Sequence, residues 1–565
     1  MKNQEVAKLL YDIADMMEIR GEMIFKIVAY RRAAQAVESL SRDIEDVWRQ
    51  HALEDVPGIG KGIAEKISEY LEKGKLGYLD ELRKGLPPGF EELLAIEGIG
   101  PKKVKMFHER LRIRNVKELE KAAKQGKLRK IPTLGEKTEQ NILHAIEAAK
   151  KRGGRMLLGY ALLVADEIIA ELKKNADVDR ISTAGSLRRM KETIGDIDIL
   201  VTSARPNSVL KYFTRMKGVS GVIAQGPTKA SVRLASGMQV DLRVLKDMEY
   251  GSALMYFTGS KEHNVALRKI AIAKRMKLSE YGLFQGNKFV AGRAEQEVYK
   301  KLGLEYIEPE MRENRGEIEL AKKGKLPKLI GYRDIRGDLQ MHTKWSDGAN
   351  MVGEMAKAAK EMGYEYICIT DHAGGPAIAN ALNGKRLEKQ RKEINSANKK
   401  TDITILQGAE VDIRKDGKIG IQNTVLKELD IVLASLHSAL RSKNNTVRII
   451  SAMENPNVDI IAHPSGRLLD KREGSELDME KITQKAKETN TILEIDAQPE
   501  RLDLSDVNVK AAIEAGCMLS IDTDAHSTDQ LRHMRIGIAT ARRGWAPKNS
   551  VINTYPLDKM RKMLK

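Results

Sequence analysis

The apolar positions divide the chain into three regimes. Residues 3–20 and 22–40 carry aliphatic side chains at helical spacing, a third helix is expected from Ile44, and a long apolar-periodic helix follows from Met156 to Leu172. The period then drops to two. In Gly195-Asp-Ile-Asp-Ile-Leu200 acid and aliphatic residues alternate, so Asp196 and Asp198 share one face of a strand while Ile197 and Ile199 share the other. Val178–Ala184 reads as a strand before it. Ser220–Leu245 reads as an antiparallel meander turning at Ser236-Gly237, with Asp241 on the polar face of its last strand. From residue 333 onward, short apolar runs at 334–341, 364–370, 405–411, 431–436, 459–462, 491–496 and 518–523 alternate with helical stretches. Strands interleaved with helices in this way predict a parallel β/α barrel.

Glycines punctuate the first regime in a repeated fashion. Val56-Pro-Gly-Ile-Gly-Lys-Gly-Ile-Ala-Glu-Lys-Ile67 places Gly58 and Gly60 in a turn that opens a helix, and Ile96–Phe107 repeats the device with Gly98 and Gly100. A weaker copy spans Ile131–Ile142. The strings match the helix-hairpin-helix, in which glycines let the backbone approach a DNA phosphate. Two strong copies favour sequence-independent binding to the DNA backbone, through Gly58, Gly60, Gly98 and Gly100.

Charge sharpens this picture. The 565 residues carry a net charge of +18, of which residues 101–300 supply +19 while residues 1–100 sum to −5. The positive field surrounds the paired aspartates and suits a polyanion. Cys368 and Cys517 lie in apolar runs and read as buried thiols of a reducing compartment. No run reaches the length of a membrane span and the N-terminus lacks a signal pattern, so a cytoplasmic protein is expected.

Two carboxylates about 7 Å apart on one strand face repel unless a cation lies between them. A lone Asp-x-Asp is more often a solvated face than a metal site. Here Gly185 and Ser186 open a short helix after the preceding strand and offer N–H groups to a phosphate, Arg188 or Arg189 adds a charged donor, and Asp241 supplies a third acid. Together these are the parts of two-metal nucleotidyl transfer with Mg²⁺ or Mn²⁺.

The string Gly185-Ser-Leu-Arg-Arg189…Gly195-Asp-Ile-Asp198 resembles the palm of family X DNA polymerases within the nucleotidyltransferase superfamily. Tyr256-Phe-Thr-Gly-Ser-Lys-Glu-His-Asn-Val-Ala-Leu-Arg268 is similar to the second diagnostic string of that family. The resemblance implies that Asp196, Asp198 and Asp241 hold two metals, and that Gly185, Ser186, Arg189 and Gly195 receive the triphosphate. It further implies that Tyr256, Phe257 and Gly259 line the sugar, that Asn264 touches the base edge, and that Arg268 contacts the template. Lys261 departs from the acidic residue of DNA polymerase beta.

The first unit resembles the lyase domain of DNA polymerase beta. By position Lys66 matches the Schiff-base lysine, and Lys26 and Tyr30 match the residues that receive a 5′-phosphate. Gly62 stands where eukaryotic relatives carry another phosphate-binding lysine. A 5′-phosphate site is therefore expected ahead of lyase chemistry.

In the last regime His342, Asp347, His372, Glu410, His437, His463, Asp524 and His526 each fall at or just after the C-terminal end of a candidate strand, the face where such a barrel keeps its chemistry. Five of the chain's ten histidines lie there. The pattern resembles the PHP (polymerase and histidinol phosphatase) domain, which implies up to three Mn²⁺ or Zn²⁺ ions and phosphoester cleavage. The first ligand position holds Gln340, a weaker donor than imidazole.

The expected architecture is multidomain. An α-helical helix-hairpin-helix part comprises a lyase-like domain at 1–84 and a DNA-binding subdomain at 85–150. An α+β nucleotidyltransferase palm at 151–250 and a thumb at 251–315 follow, then a linker at 316–332 and a seven-stranded, distorted TIM-like PHP barrel at 333–565. The resemblance is to the bacterial or archaeal type of family X polymerase with a C-terminal PHP domain. It implies a monomer that fills short gaps in base excision repair, acting on gapped or primer-template DNA with a 5′-phosphate and on dNTPs. A 3′→5′ exonuclease is implied as well, with incision at abasic sites as a further activity. Three other readings stay open: a PHP nuclease to which a weakly active polymerase body delivers DNA, an active polymerase with a structural barrel, to which Gln340 points, and a non-catalytic DNA-end-binding scaffold.

Overall fold

The computed structural model of the chain describes residues 2–38, 44–56, 58–84, 86, 89–94, 96, 99–131, 134–136, 138–140, 142–143, 145–146, 155–374 and 380–565. It divides into two compact units, residues 1–153 with 470–472, and 154–469 with 473–565. Gly98 and residues 39–40, which the sequence places in a hairpin turn and at the end of a helix, lie outside the described residues.

The first unit is helical. Lys2–Arg20 packs against Ile24–Glu38, and Leu10, Ile13, Met17, Ala33 and Val37 are buried with Val47, Ile67 and Phe107. The second helix begins at Ile24, two residues later than its periodicity suggests. Gly21, at φ +80°, ends the first helix, and the Glu22 amide donates back to the Met17 carbonyl. The same flanking hydrogen bonds recur at all three glycine repeats. Ile59 donates to Val56, Ile99 to Ile96 and Leu134 to Ile131, each at 3.0 Å, and Gly60, Gly100 and Gly135 then accept from the next helix's first free amides. The weak third copy therefore keeps the flanking hydrogen bonds of the strong ones.

In the second unit a mixed sheet comes first. Arg180–Thr183 pairs antiparallel with Asp196–Thr202, which pairs parallel with Gln239–Leu245, followed by Lys229–Leu234 and Val219–Gln225. Ile197, Ile199, Val201, Val240 and Leu242 bury one face against the helix Leu158–Leu172. Alternation leaves the acids on the other face. A thumb of helices Tyr250–Thr258, Lys261–Ala273 and Glu295–Leu302 with a three-stranded antiparallel sheet follows.

The stretch 316–332, expected as a linker, packs against both the thumb and the barrel. It contains the helix Glu317–Lys323, whose Ile318 and Ala321 are buried beside Tyr299 and Leu302. The Ile330 amide donates to the Ala546 carbonyl at 3.0 Å. Its few apolar residues sufficed because they coincide with one helical face.

The barrel holds seven parallel strands in sequence order: Gly337–Asp338, Tyr366–Ile369, Thr404–Asp412, Ile431–Ser435, Ile460–Ile461, Ile492–Asp496 and Leu519–Asp522. A short His372–Ala373 strand adds to the third. One parallel bridge, Met341 to Ala525, nearly closes the ring. The first strand is shorter than its apolar run. At Gly337 a side chain would collide with the Tyr366 ring, and past Asp338 the Leu339 amide turns to Asp522 Oδ1 at 2.8 Å.

Candidate active sites

In the palm, Asp198 and Asp241 occupy the same register on neighbouring parallel strands, and Asp196 lies one pleat along on the same face. The Ser231 hydroxyl donates to Asp241 Oδ1, and Gln239 Nε2 lies 3.3 Å from Oδ2. Burial, and then the charges of Asp196 and Asp241, push the Asp198 carboxyl up to about 7. Gly185 holds φ +61°, and a Cβ there would come within 2.3 Å of Asp198 Oδ2, so the turn is moulded around the carboxylate. An oxygen-only donor set with too little positive charge around it fits a hard divalent cation.

Beside this centre the helix Gly185–Arg188 carries Ser186, half-buried, and Gly195 precedes the acidic strand. The structure separates the two arginines that the sequence left open. Arg188 is clamped bidentately by Glu295 at 2.9 and 2.6 Å and donates to Thr258 Oγ1 at 2.7 Å. Arg189 donates through Nε to Glu313 at 3.1 Å and through Nη1 to the Thr258 carbonyl. Gly259, at φ +72°, leaves room for that guanidinium, since a Cβ would lie 3.0 Å from Nη1. The Tyr256 and Phe257 rings meet edge to face at 5.1 Å, and the Arg243 guanidinium lies 4.2 Å over Phe257. Asn264 Nδ2 donates to the Tyr256 carbonyl at 2.6 Å, and Arg268 is exposed on the same helix.

In the first unit Gly58 sits at φ +94°, while Gly60 and Gly100 cap their helices with ordinary φ and nothing within 4 Å of a built Cβ. Lys66 donates to the Gly62 carbonyl at 3.0 Å and lies 4.7 Å over the Tyr78 ring. Lys26 lies 3.6 Å from Glu22, and Tyr30 is buried, its hydroxyl raised by burial and then by Tyr78. Tyr78 was missed in the sequence because nothing marks it out from its neighbours.

At the barrel mouth, ligand atoms of His342, Asp347, His372 and His526 lie within 4.8 Å of one another, as do those of His372, Glu410 and His437, and of His342, Glu410 and Asp524. The groups share His342, His372 and Glu410, so the site is a joined cluster. His463 Nε2 lies 2.8 Å from Glu410 Oε1. Hydrogen bonds from His372 and His526 and the charge of His342 outweigh burial at Asp347 and hold it far below the usual carboxylate range. Burial alone would depress His437, but Glu410 and then Asp412 carry it up to about 10; Asp347 and Asp524 do the same for His526. His342 is fully buried, with neither ring nitrogen making a hydrogen bond, although Nε2 lies 3.0 Å from Asp524 and 3.4 Å from Glu410. Orphaned imidazole nitrogens beside converging carboxylates fit transition-metal ligation. His463 and Asp524 also hold positive φ, at +28° and +48°, conformations that L residues adopt at a cost.

Gln340 is buried at the same place. Its amide lies 3.5 Å from Asp524 Oδ1 and, turned over, donates to both oxygens of Glu494. Glu494 and its strand neighbour Asp496 were not singled out in the sequence. Both are fully buried; burial and then the charge of Asp496 raise Glu494, and burial and then the charge of Asp524 raise Asp496, each well above the usual range. Arg501 lies 3.3 Å from Asp496 and 3.8 Å from Asp524. Asp412 lies 3.6 Å from His437.

These folds and centres define a nucleotidyltransferase palm joined to a metallophosphoesterase-type barrel. Comparison with known proteins finds family matches in four segments. The helix-hairpin-helix domain family matches residues 1–76, and the SAM-like helix-hairpin-helix tandem matches 90–148. The DNA polymerase beta thumb family matches 253–313, and the PHP domain matches 338–495. The chain is 38% identical to the DNA polymerase/3′-5′ exonuclease PolX of Bacillus subtilis (strain 168), over the whole of both proteins. It is 27% identical to DNA polymerase lambda of Rattus norvegicus over 55% of this chain and 56% of that one. It is 29% identical to a probable phosphatase of Thermoanaerobacter sp. (strain X514), over 40% of this chain and 94% of that one. The chain belongs to the family X DNA polymerases that carry a C-terminal PHP domain. No helix among the described residues is long and apolar enough to cross a membrane.

Proposed function

We propose that this chain is a DNA-directed DNA polymerase that fills short gaps during base excision repair, and that its barrel is a 3′→5′ exonuclease. The observation that carries the reading is the shared register of Asp198 and Asp241, with Asp196 on the same face. In the palm Asp196, Asp198 and Asp241 hold Mg²⁺ or Mn²⁺. In the barrel the three overlapping groups, with His463, hold Mn²⁺ or Zn²⁺, and Gln340 offers a carbonyl. Bound there, the divalent ions supply the charge that acidifies an attacking hydroxyl or water and neutralises the phosphate.

The chain's own residues do the rest. Ser231 fixes the orientation of Asp241, and the amides around Gly185 and Ser186 receive the triphosphate with Arg189. Tyr256, Phe257 and Gly259 line the sugar, Asn264 reads the base edge, and Arg268 holds the template. The glycine turns at Gly58, Gly60, Gly98 and Gly100 grip the duplex backbone, and Lys26 with the edge of Tyr30 receives a 5′-phosphate. Lys66 is the lyase candidate. The boundaries that fit these roles are 1–84, 85–150, 151–250, 251–315 and 333–565.

The test is a one-nucleotide-gapped duplex with labelled primer and 5′-phosphate, incubated with Mn²⁺. The expected result is extension by one with dNTPs and shortening without them. Shortening alone would favour a nuclease served by an inert polymerase body, and extension alone would make the barrel structural.

A further inference from the structure

We infer that the barrel positions the nucleotide-binding arginine of the palm: Arg543 holds Arg189 in place through Glu313, so polymerisation depends on a side chain of the nuclease domain. The inference rests on the reading of Arg189 as the triphosphate contact.

Arg543 ends the barrel helix Met534–Arg543 and is 5% exposed. Its Nη1 donates to the carbonyl of Arg189 at 2.7 Å and to Glu313 Oε1 at 3.0 Å, while Nη2 donates to Asp506 at 2.6 Å. The same Glu313 oxygen accepts Nε of Arg189 at 3.1 Å. Arg315 closes the array on Asp506 at 3.2 Å. Arg188 takes no part, because Glu295 holds it. The support is rigid: Ile536 of the same helix and Leu502 of the barrel are buried in the palm's apolar core, and Gly159 of the palm packs directly on Pro499.

The charges explain what the array does. Glu313, shared between two guanidiniums, is neutralised by Arg543, which leaves the charge of Arg189 for an incoming triphosphate. Without Arg543, Glu313 and Arg189 would form a closed ion pair of no net charge, and the carboxylate would compete with the triphosphate for the arginine. Arg543 is thus a positioning residue with an electrostatic role.

The experiment measures single-nucleotide gap filling by the full chain, with the exonuclease as a control of folding. Arg543→Ala is expected to raise KM for dNTP about tenfold while leaving primer shortening unchanged, and Arg543→Lys about threefold. Adding Glu313→Gln to Arg543→Ala removes the competing carboxylate and is expected to recover most of the lost KM, which a purely structural buttress would not do. An unchanged KM in both Arg543 variants, or a double variant no better than Arg543→Ala, overturns the inference. Where Arg543→Ala loses both activities, the Lys variant decides. Arg189→Ala separates the two readings. If it leaves KM unchanged, Arg189 is not the triphosphate contact and the inference falls with that reading. If it raises KM while Arg543→Ala does not, the inference alone fails.

Discussion

Asp198 and Asp241 face each other across two parallel strands, and only Asp241 is held by a hydroxyl, that of Ser231. The unequal treatment matters. At Asp198 burial and then the charges of Asp196 and Asp241 outweigh the opposing charges of Arg243 and Lys229, which is why its carboxyl rises to about 7.

Asp198→Asn is therefore expected to abolish primer extension, by at least about a thousandfold or roughly 4 kcal/mol of barrier, and also to stabilise the cation-free protein. The native state binds this proton more tightly than the unfolded chain does, so the wild type loses stability as pH rises from about 4 through about 7. The Asn variant has no such loss. Thermal melts in EDTA should show an advantage of a few °C at pH 8 that shrinks at pH 5.5. Equal melting temperatures at pH 8 would remove the argument.

In the barrel, His342 belongs to two of the three ligand groups, and Asp524 completes one of them. His342→Ala or Asp524→Ala should lower primer shortening by at least about a hundredfold while extension stays within about twofold of wild type. Parallel assays on the same gapped substrate read both. Loss of extension to the same degree would mean that one site performs both reactions.

What was legible in the chain follows from where its periodicities were exposed. Asp196, Asp198 and Asp241 stood out because acids alternate with aliphatics on a strand of which one face is buried. The barrel ligands stood out because strand ends are easy to place. The same alternation occurs at Glu410-Val-Asp412 and Glu494-Ile-Asp496, yet Asp412, Glu494 and Asp496 passed unnoticed, since acids inside strands buried on both faces leave no polar stripe. The anchoring of 316–332 was hidden because one short helical face carries it. The Arg543–Glu313 contact joins residues 230 apart and has no local signature at all.

Gly60 and Gly100 test the backbone grip. Each has ordinary φ and open space around a built Cβ, so alanine folds there at a cost of about 1 kcal/mol per helix cap. The added methyl would still hold a phosphate away from the helix amides. Gly60→Ala with Gly100→Ala should weaken binding to gapped duplex about tenfold, equally for unrelated sequences. Fluorescence anisotropy with two duplexes of different sequence checks this. Unchanged affinity would transfer DNA binding to another surface.

His437 and His526 make cation loading of the barrel a proton exchange. Each keeps its proton up to about 10 in the cation-free protein, because Glu410 and Asp412 hold the one and Asp347 and Asp524 the other. Their stabilisation is complete below about 6.5 and fades as pH climbs through about 10, so at pH 7.5 both are charged and must be discharged before they can ligate. Mn²⁺ titration of the Asp198→Asn chain, followed by calorimetry in two buffers of different ionisation enthalpy, is expected to release about two protons per barrel. Affinity should rise between about ten- and a hundredfold per pH unit from 6.5 to 8.5. A binding heat independent of buffer, with flat affinity across that window, would mean that the two imidazoles are already neutral and that the carboxylates around them are balanced by other charges.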